Sequence, residues 1–312
     1  MAARKKKAAS KKKAASRRRP STQQEEMAVA TQQSDMVVAE DIDAAMLEDI
    51  GSGHEEVSGE DLATPFLNIL QAQSPQCMKG SDEYIDGAEQ GCFMDSVSEH
   101  VYDGEEGILV VPCHFQSRWI EWIGRKHGGG FVRQFDVGER PSGTRRGDIS
   151  LCIDDEGQIW HGDPKETPRQ YVRTHLQYLL LVNSDTQLIR PVIFSVKSTG
   201  LTPSSKWNSS LRQMVVPGKG TLPRFNSLWM LYSKYRDNDQ GSWYSFQVEV
   251  ERPLQPSTQQ WDAQVYAAAR EFKAAVVESR VQANFDQSRA TEAADTGQGQ
   301  DSQGGLDEET PF

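Results

Sequence analysis

A chain of 312 residues with a formal net charge of -11 and a mean hydropathy of -0.64 has room for one or two domains; its 37% hydrophobic share predicts one core with sizeable disordered ends. It holds no run of 18 apolar residues and no charged stretch ahead of an apolar signal core, which argues against membrane-spanning and secreted classes and for a soluble, cytoplasmic protein. Cys77, Cys92, Cys113 and Cys152 form no Cys-x-x-Cys pair, so neither a zinc ribbon nor a disulfide framework is signalled, even with His114 and His161 nearby, and no metal or cofactor is expected.

In chain order, residues 1–20 hold ten Lys/Arg and no acid, and residues 21–61 hold twelve acids and no Lys or Arg. Together they read as a disordered N-terminal tail. Its basic clusters could add sequence-independent phosphate contacts, act as an address signal, or neutralise the acidic stretch. The first apolar cluster, Thr64 to Leu70, opens a core spanning residues 62–285. Short runs rich in Val, Ile, Phe and Trp predict strands near residues 91–97, 107–115, 117–124, 149–153 and 158–160. A hairpin is predicted from His175–Asn183 and Leu188–Ser198 around Ser184-Asp185-Thr186-Gln187. Trp207, Leu211 and Met214, opened by Thr202-Pro203, predict a short helix over residues 203–215.

A second hairpin is expected from Phe225–Arg236 and Ser242–Glu251, turning at Asp237 to Gly241. From Thr258 to about Phe285 the period is helical, with Trp261, Val265, Ala268, Phe272, Ala275 and Val276 on one face. Residues 286–312 hold seven acids against Arg289 alone, in a Gln/Gly-rich context, and read as a disordered acidic tail. The fold class expected is mainly β: an OB-fold-like antiparallel barrel with insertions, a C-terminal helix and disordered charged tails.

The charge pattern inside the core points to function. Between Thr186 and Arg236 no Asp or Glu occurs, while Arg190, Lys197, Lys206, Arg212, Lys219, Arg224, Lys234 and Arg236 do. Phe194, Trp207, Phe225, Trp229, Tyr232 and Tyr235 are interleaved with them. Cations that track a phosphate backbone, mixed with rings that stack on unpaired bases, are what sequence-independent single-strand binding requires. The competing reading makes the rings core and the cations a solvated face. The candidate DNA-binding residues are Arg118, Trp119, Trp122, Arg125 and Lys126 from the early strands, with Lys197, Lys206, Trp207, Arg212, Arg224, Trp229, Tyr232 and Lys234 from the basic segment. Catalytic signatures are missing: Gly218-Lys219-Gly220 is too short for a phosphate loop, and Asp154-Asp155-Glu156 before Gly157 reads as a turn. A non-enzyme is therefore expected.

Two resemblances add to this. The ending Asp307-Glu308-Glu309-Thr310-Pro311-Phe312 resembles the tail tip of bacterial single-stranded DNA-binding proteins. The resemblance implies that Asp307, Glu308, Glu309, Pro311 and Phe312 dock on replication or recombination enzymes, acids against a basic rim and the Phe carboxylate in a pocket; the competing reading is a solvated end. Leu67 to Pro75, Val110 to Trp122, Gly128 to Phe131, Ser195 to Gly200 and Lys206-Trp207-Asn208 resemble single-stranded DNA-binding proteins of tailed bacteriophages. That implies a coat for single-stranded DNA in phage replication, recombination and repair, acting in the host cell cytoplasm, with homo-oligomers allowed. The alternatives are a structural or chromatin-like nucleoprotein condensing duplex through the basic tail, and a strand-annealing recombinase.

Overall fold

The computed structural model describes residues 52, 63–123, 130–136, 151–153, 159–161, 169–239 and 241–285, all within a compact unit spanning residues 33–312. The early strands are β1 (Phe66–Ile69), β2 (Phe93–Asp95), β3 (Val101–Tyr102), β4 (Ile108–Ile123), β5 (Gly130–Asp136), β6 (Leu151–Ile153) and β7 (Ile159–His161). There follow β8 (Arg169–Asn183), β9 (Leu188–Lys197), α1 (Leu201–Gln213), β10 (Val215–Val216), β11 (Gly220–Thr221), β12 (Ser227–Asn238), β13 (Gly241–Pro253) and α2 (Gln260–Val277).

One sheet runs in the order β13-β12-β4-β8-β9-β1-β2-β3, with β5 against β4 and β7 against β8. Its pairs are antiparallel except β1 with β9, where Phe66 lies opposite Ile193 in a parallel register. The protein is mainly β, a curled half-barrel with a C-terminal helix, as the sequence texture predicts. The runs expected as two strands, 107–115 and 117–124, are one long strand, β4. A register shift between Pro112 and His114 lets it bend without ending.

Both faces of the sheet are covered, which explains the unbroken apolar run at the end of β8. Alternate side chains point to opposite faces. Tyr178, Leu180 and Val182 join a core with Val265, Ala269, Phe272 and Val276 of α2. Leu179 and Leu181 join the other core, with Trp207 and Leu211 of α1, Trp229, Leu231 and Phe246. The helix expected to run to Phe285 ends at Val277. Ser279 then takes a φ of 61°, and the chain returns Phe285 against Phe66 at 5.3 Å and Phe131 at 5.3 Å.

The curl brings β12 and β13 round to the β1–β3 side without a strand ladder. Ser233 N–H donates to Gly104 O at 2.8 Å. Gln71 uses its side-chain amide as a peptide unit: Nε2 donates to Tyr244 O at 2.9 Å, and Tyr244 N–H donates to Oε1 at 2.8 Å. The approach is close enough to demand glycine. A Cβ on Gly91, whose φ is +93°, would lie 2.5 Å from the Tyr244 ring.

Candidate nucleic-acid interface

The acid-free segment folds into β9, a 3-10 turn at Ser198–Gly200, α1, the β10–β11 hairpin and β12. Its rings and its cations separate. Phe194, Trp207, Phe225 and Trp229 are buried, so the proposal that Trp207 and Trp229 offer stacking faces is corrected. They pair with each other at 5.9 Å between centroids inside the core enclosed with α1, because a mainly β sheet with both faces covered needs large apolar fillers. Trp119 is buried for the same reason. Tyr232 is half-buried against Gly107, and Tyr235 is exposed, with its edge on Tyr244 at 5.6 Å.

The cations lie outside. Lys206 and Arg212 are exposed on α1, Lys219 on the small hairpin, and Lys234 and Arg236 on the outer end of β12. Lys197 Nζ stands 5.8 Å from the Trp122 ring centroid, so these two candidates are brought together. Trp122 itself is half-buried, edge-on to Phe131 and Phe285. Arg118 is ion-paired with Asp136, and Arg190 with Asp95 at 3.0 Å. These two guanidinium groups have carboxylate partners. Arg125, Lys126 and the tip residues Asp307 to Phe312 lie outside the described residues.

Between the edges of β9 and β13 lies an open cleft. Lys197, Asn68, Gln71, Trp243, Tyr244 and Phe246 line it. The sequence reading passed over Trp243 and Tyr244 as ordinary members of a returning strand. The signal was available: successive strand residues face opposite ways, so two adjacent rings near a strand end cannot both enter one core, and both remain half-exposed. Arg236 lies opposite Trp243 and Tyr235 opposite Tyr244 in the hairpin register. Cation and ring are therefore neighbours across the strand pair.

A second locus centres on Arg224, between β12 and α1. Its NH2 donates to Asn208 Oδ1 at 2.7 Å and to Gln177 Oε1, and its guanidinium lies 5.6 Å from the Phe115 ring centroid. Gln177 Nε2 donates to Ser204 Oγ at 2.9 Å, which also meets His175 Nδ1 at 3.0 Å. Burial pulls Arg224 down to about 10. Burial, aided by Arg173, pulls His175 down to about 4. His114 is lowered by burial and then by Arg224, Lys273 and Arg118, the mark of a positively charged neighbourhood.

Among the described residues no group of three His, Cys, Asp or Glu could hold a metal ion, and no helix is long and apolar enough to cross a membrane. No curated protein and no solved structure matches the chain. The family described as Pam3 phage gp34-like protein matches residues 22–282. That match takes in the acidic stretch, both cores apart from Ala283 and Phe285, the cleft and the Arg224 locus, well over half of the chain, and the protein belongs to this family of phage proteins.

Proposed function

We propose that this phage protein is a non-catalytic, sequence-independent binder of single-stranded DNA, working in replication, recombination or repair in the infected cell. The observation that carries the reading is the segregation within residues 186–236: no acid is present, the rings are mostly inside, and Lys197, Lys206, Arg212, Lys219, Lys234 and Arg236 stand on the surface or at its edge. Backbone phosphates would meet these cations, with bases against Trp243, Tyr244 and Tyr235 beside the cleft, each stacked base contributing about 1–3 kcal/mol. Residues 1–61 and 286–312 would flank this core as charged tails, and Asp307, Glu308, Glu309, Pro311 and Phe312 would recruit partner enzymes.

The deciding experiment is tryptophan fluorescence on titration with poly-dT and with duplex of equal length, at two salt concentrations. Quenching by the single strand, weakened by salt and reduced in Trp243→Phe, is expected. Trp207, Trp229 and Trp119 are buried and should contribute little to it. Equal binding to duplex, lost on removing residues 1–20, would instead favour a condensing nucleoprotein, the reading that the ten basic residues of that segment support.

A further inference from the structure

We propose that Arg224, with Asn208 and Arg212 of α1, forms a discrete anion subsite that holds one phosphate group. The proposal rests on the single-strand reading for its biological ligand, although the chemistry recognised is a tetrahedral oxyanion whether free or in a phosphodiester.

A partly buried guanidinium normally has a carboxylate partner, because an unpaired charge is costly to desolvate. Elsewhere among the described residues three guanidinium groups follow that rule. Arg252 is bidentate on Asp262 at 2.7 and 2.8 Å, Arg190 meets Asp95 at 3.0 Å, and Arg133 meets Glu121 at 2.6 Å. Arg224 is the exception: among the described residues its partners are two neutral amide oxygens and the Phe115 ring. Its Nε–H is buried with no acceptor, although such groups are nearly always satisfied. The fork is aimed by fixed neighbours, since Gln177 is itself held by Ser204 and Gln177 and Ser204 are buried. A planar guanidinium held this way is preorganised for an oxyanion. Asn208 and Arg212 are four apart on α1, hence one above the other on the same helix face. Arg212 is exposed and would supply a second charge from that face.

The test uses Asn208→Asp in the full-length protein. Asn208 serves only as an acceptor, so a carboxylate of the same shape keeps every bond and gives Arg224 an internal counter-ion. This variant should melt no lower than the wild type, which separates loss of binding from loss of fold. Two readouts follow: the Arg224 Nε–H resonance on titration with inorganic phosphate, and poly-dT affinity as a function of salt. The expected result is a phosphate-dependent shift of that resonance, absent in Asn208→Asp. With it comes about tenfold weaker poly-dT binding, the size of one charged hydrogen-bonded contact, and a salt slope shallower by about 0.7. Arg212→Gln should weaken binding to a lesser degree.

A phosphate shift in a wild-type protein that ignores poly-dT would leave the subsite standing and sink the single-strand reading. Tight poly-dT binding that Asn208→Asp does not alter, with no phosphate shift, would overturn the subsite and leave that reading standing.

Discussion

Two helices dock on opposite faces of the same sheet, and each has an arginine at its foot. Arg252 meets Asp262 in the first turn of α2, and the same carboxylate accepts the Gln255 N–H at 2.7 Å. Asp262 is fully buried, and five apolar residues of α2 are buried with it. Arg224 at α1 has only amides, and α1 buries just Ser204, Trp207 and Leu211, leaving Lys206 and Arg212 in water. The same residue type is used up as structure on one side and left available on the other. The difference teaches that a positive surface is recognised by what fails to neutralise it rather than by counting cations, since Arg118 and Arg190 add to the count but are already paired.

That contrast is open to attack at four points. Trp207→Ala removes the anchor of α1 and should cost about 4 kcal/mol, as large aromatic truncations in cores do, measured as a shift in urea midpoint at constant m-value. Asp262→Ala strands Arg252 and should cost about 3 kcal/mol, near the lower end for a broken buried pair, because Arg252 keeps 37% of its side chain in water.

The two sides should also differ in their response to acid. His175 has a folded-state pKa of about 4, below the ordinary 6.5. The unfolded chain therefore binds a proton first, and stability falls as pH drops from about 6.5 toward 4, with a limiting slope of about 1.4 kcal/mol per pH unit. His175→Gln should flatten that limb. Asp262 is held below the usual carboxylate range, first by its hydrogen bond from Arg252. Its contribution is present above pH 4 and is lost only as pH falls through the depressed value, so Asp262→Asn should flatten the acid limb below about pH 4. Pulse proteolysis across pH 3–7 separates the two limbs. Smallest of all, Lys206→Ala and Arg212→Ala should change stability by less than about 0.5 kcal/mol, as exposed sites do, while lowering poly-dT affinity and its salt dependence. Unchanged affinity in both would mean that the surface of α1 is only a solvated face.

Much of the fold is legible in the sequence because its strongest signals are local. The Ser184–Gln187 turn and the returning strand β13 depend on near neighbours and lie where the pattern puts them, within a few residues, and α2 buries the expected face although it stops at Val277. β1 and β5 are harder to read: β1 is four residues long and takes its partners from β2 and β9, and β5 has no fully buried residue and is zipped onto β4 by register. The separation of rings from cations in residues 186–236 is a tertiary fact. A period cannot tell Trp207, which packs α1 onto the sheet, from Trp243, beside an open cleft, because each has apolar neighbours at the right spacing. The Arg224 locus is still less visible, since Gln177, Ser204 and Asn208 come from distant points and none carries a charge.

The amide of Gln71 occupies the place of a missing strand against Tyr244. A ladder would tie the two walls of the cleft at every second residue, whereas here one side chain sets their spacing at that point. The width of the cleft at Tyr244 therefore depends on the length of one side chain: a shorter residue there unfastens that point of the seam, and a longer one wedges it apart. The Tyr244 amide, whose proton is held by that side chain rather than by a neighbouring backbone, becomes a natural reporter on how often the walls part.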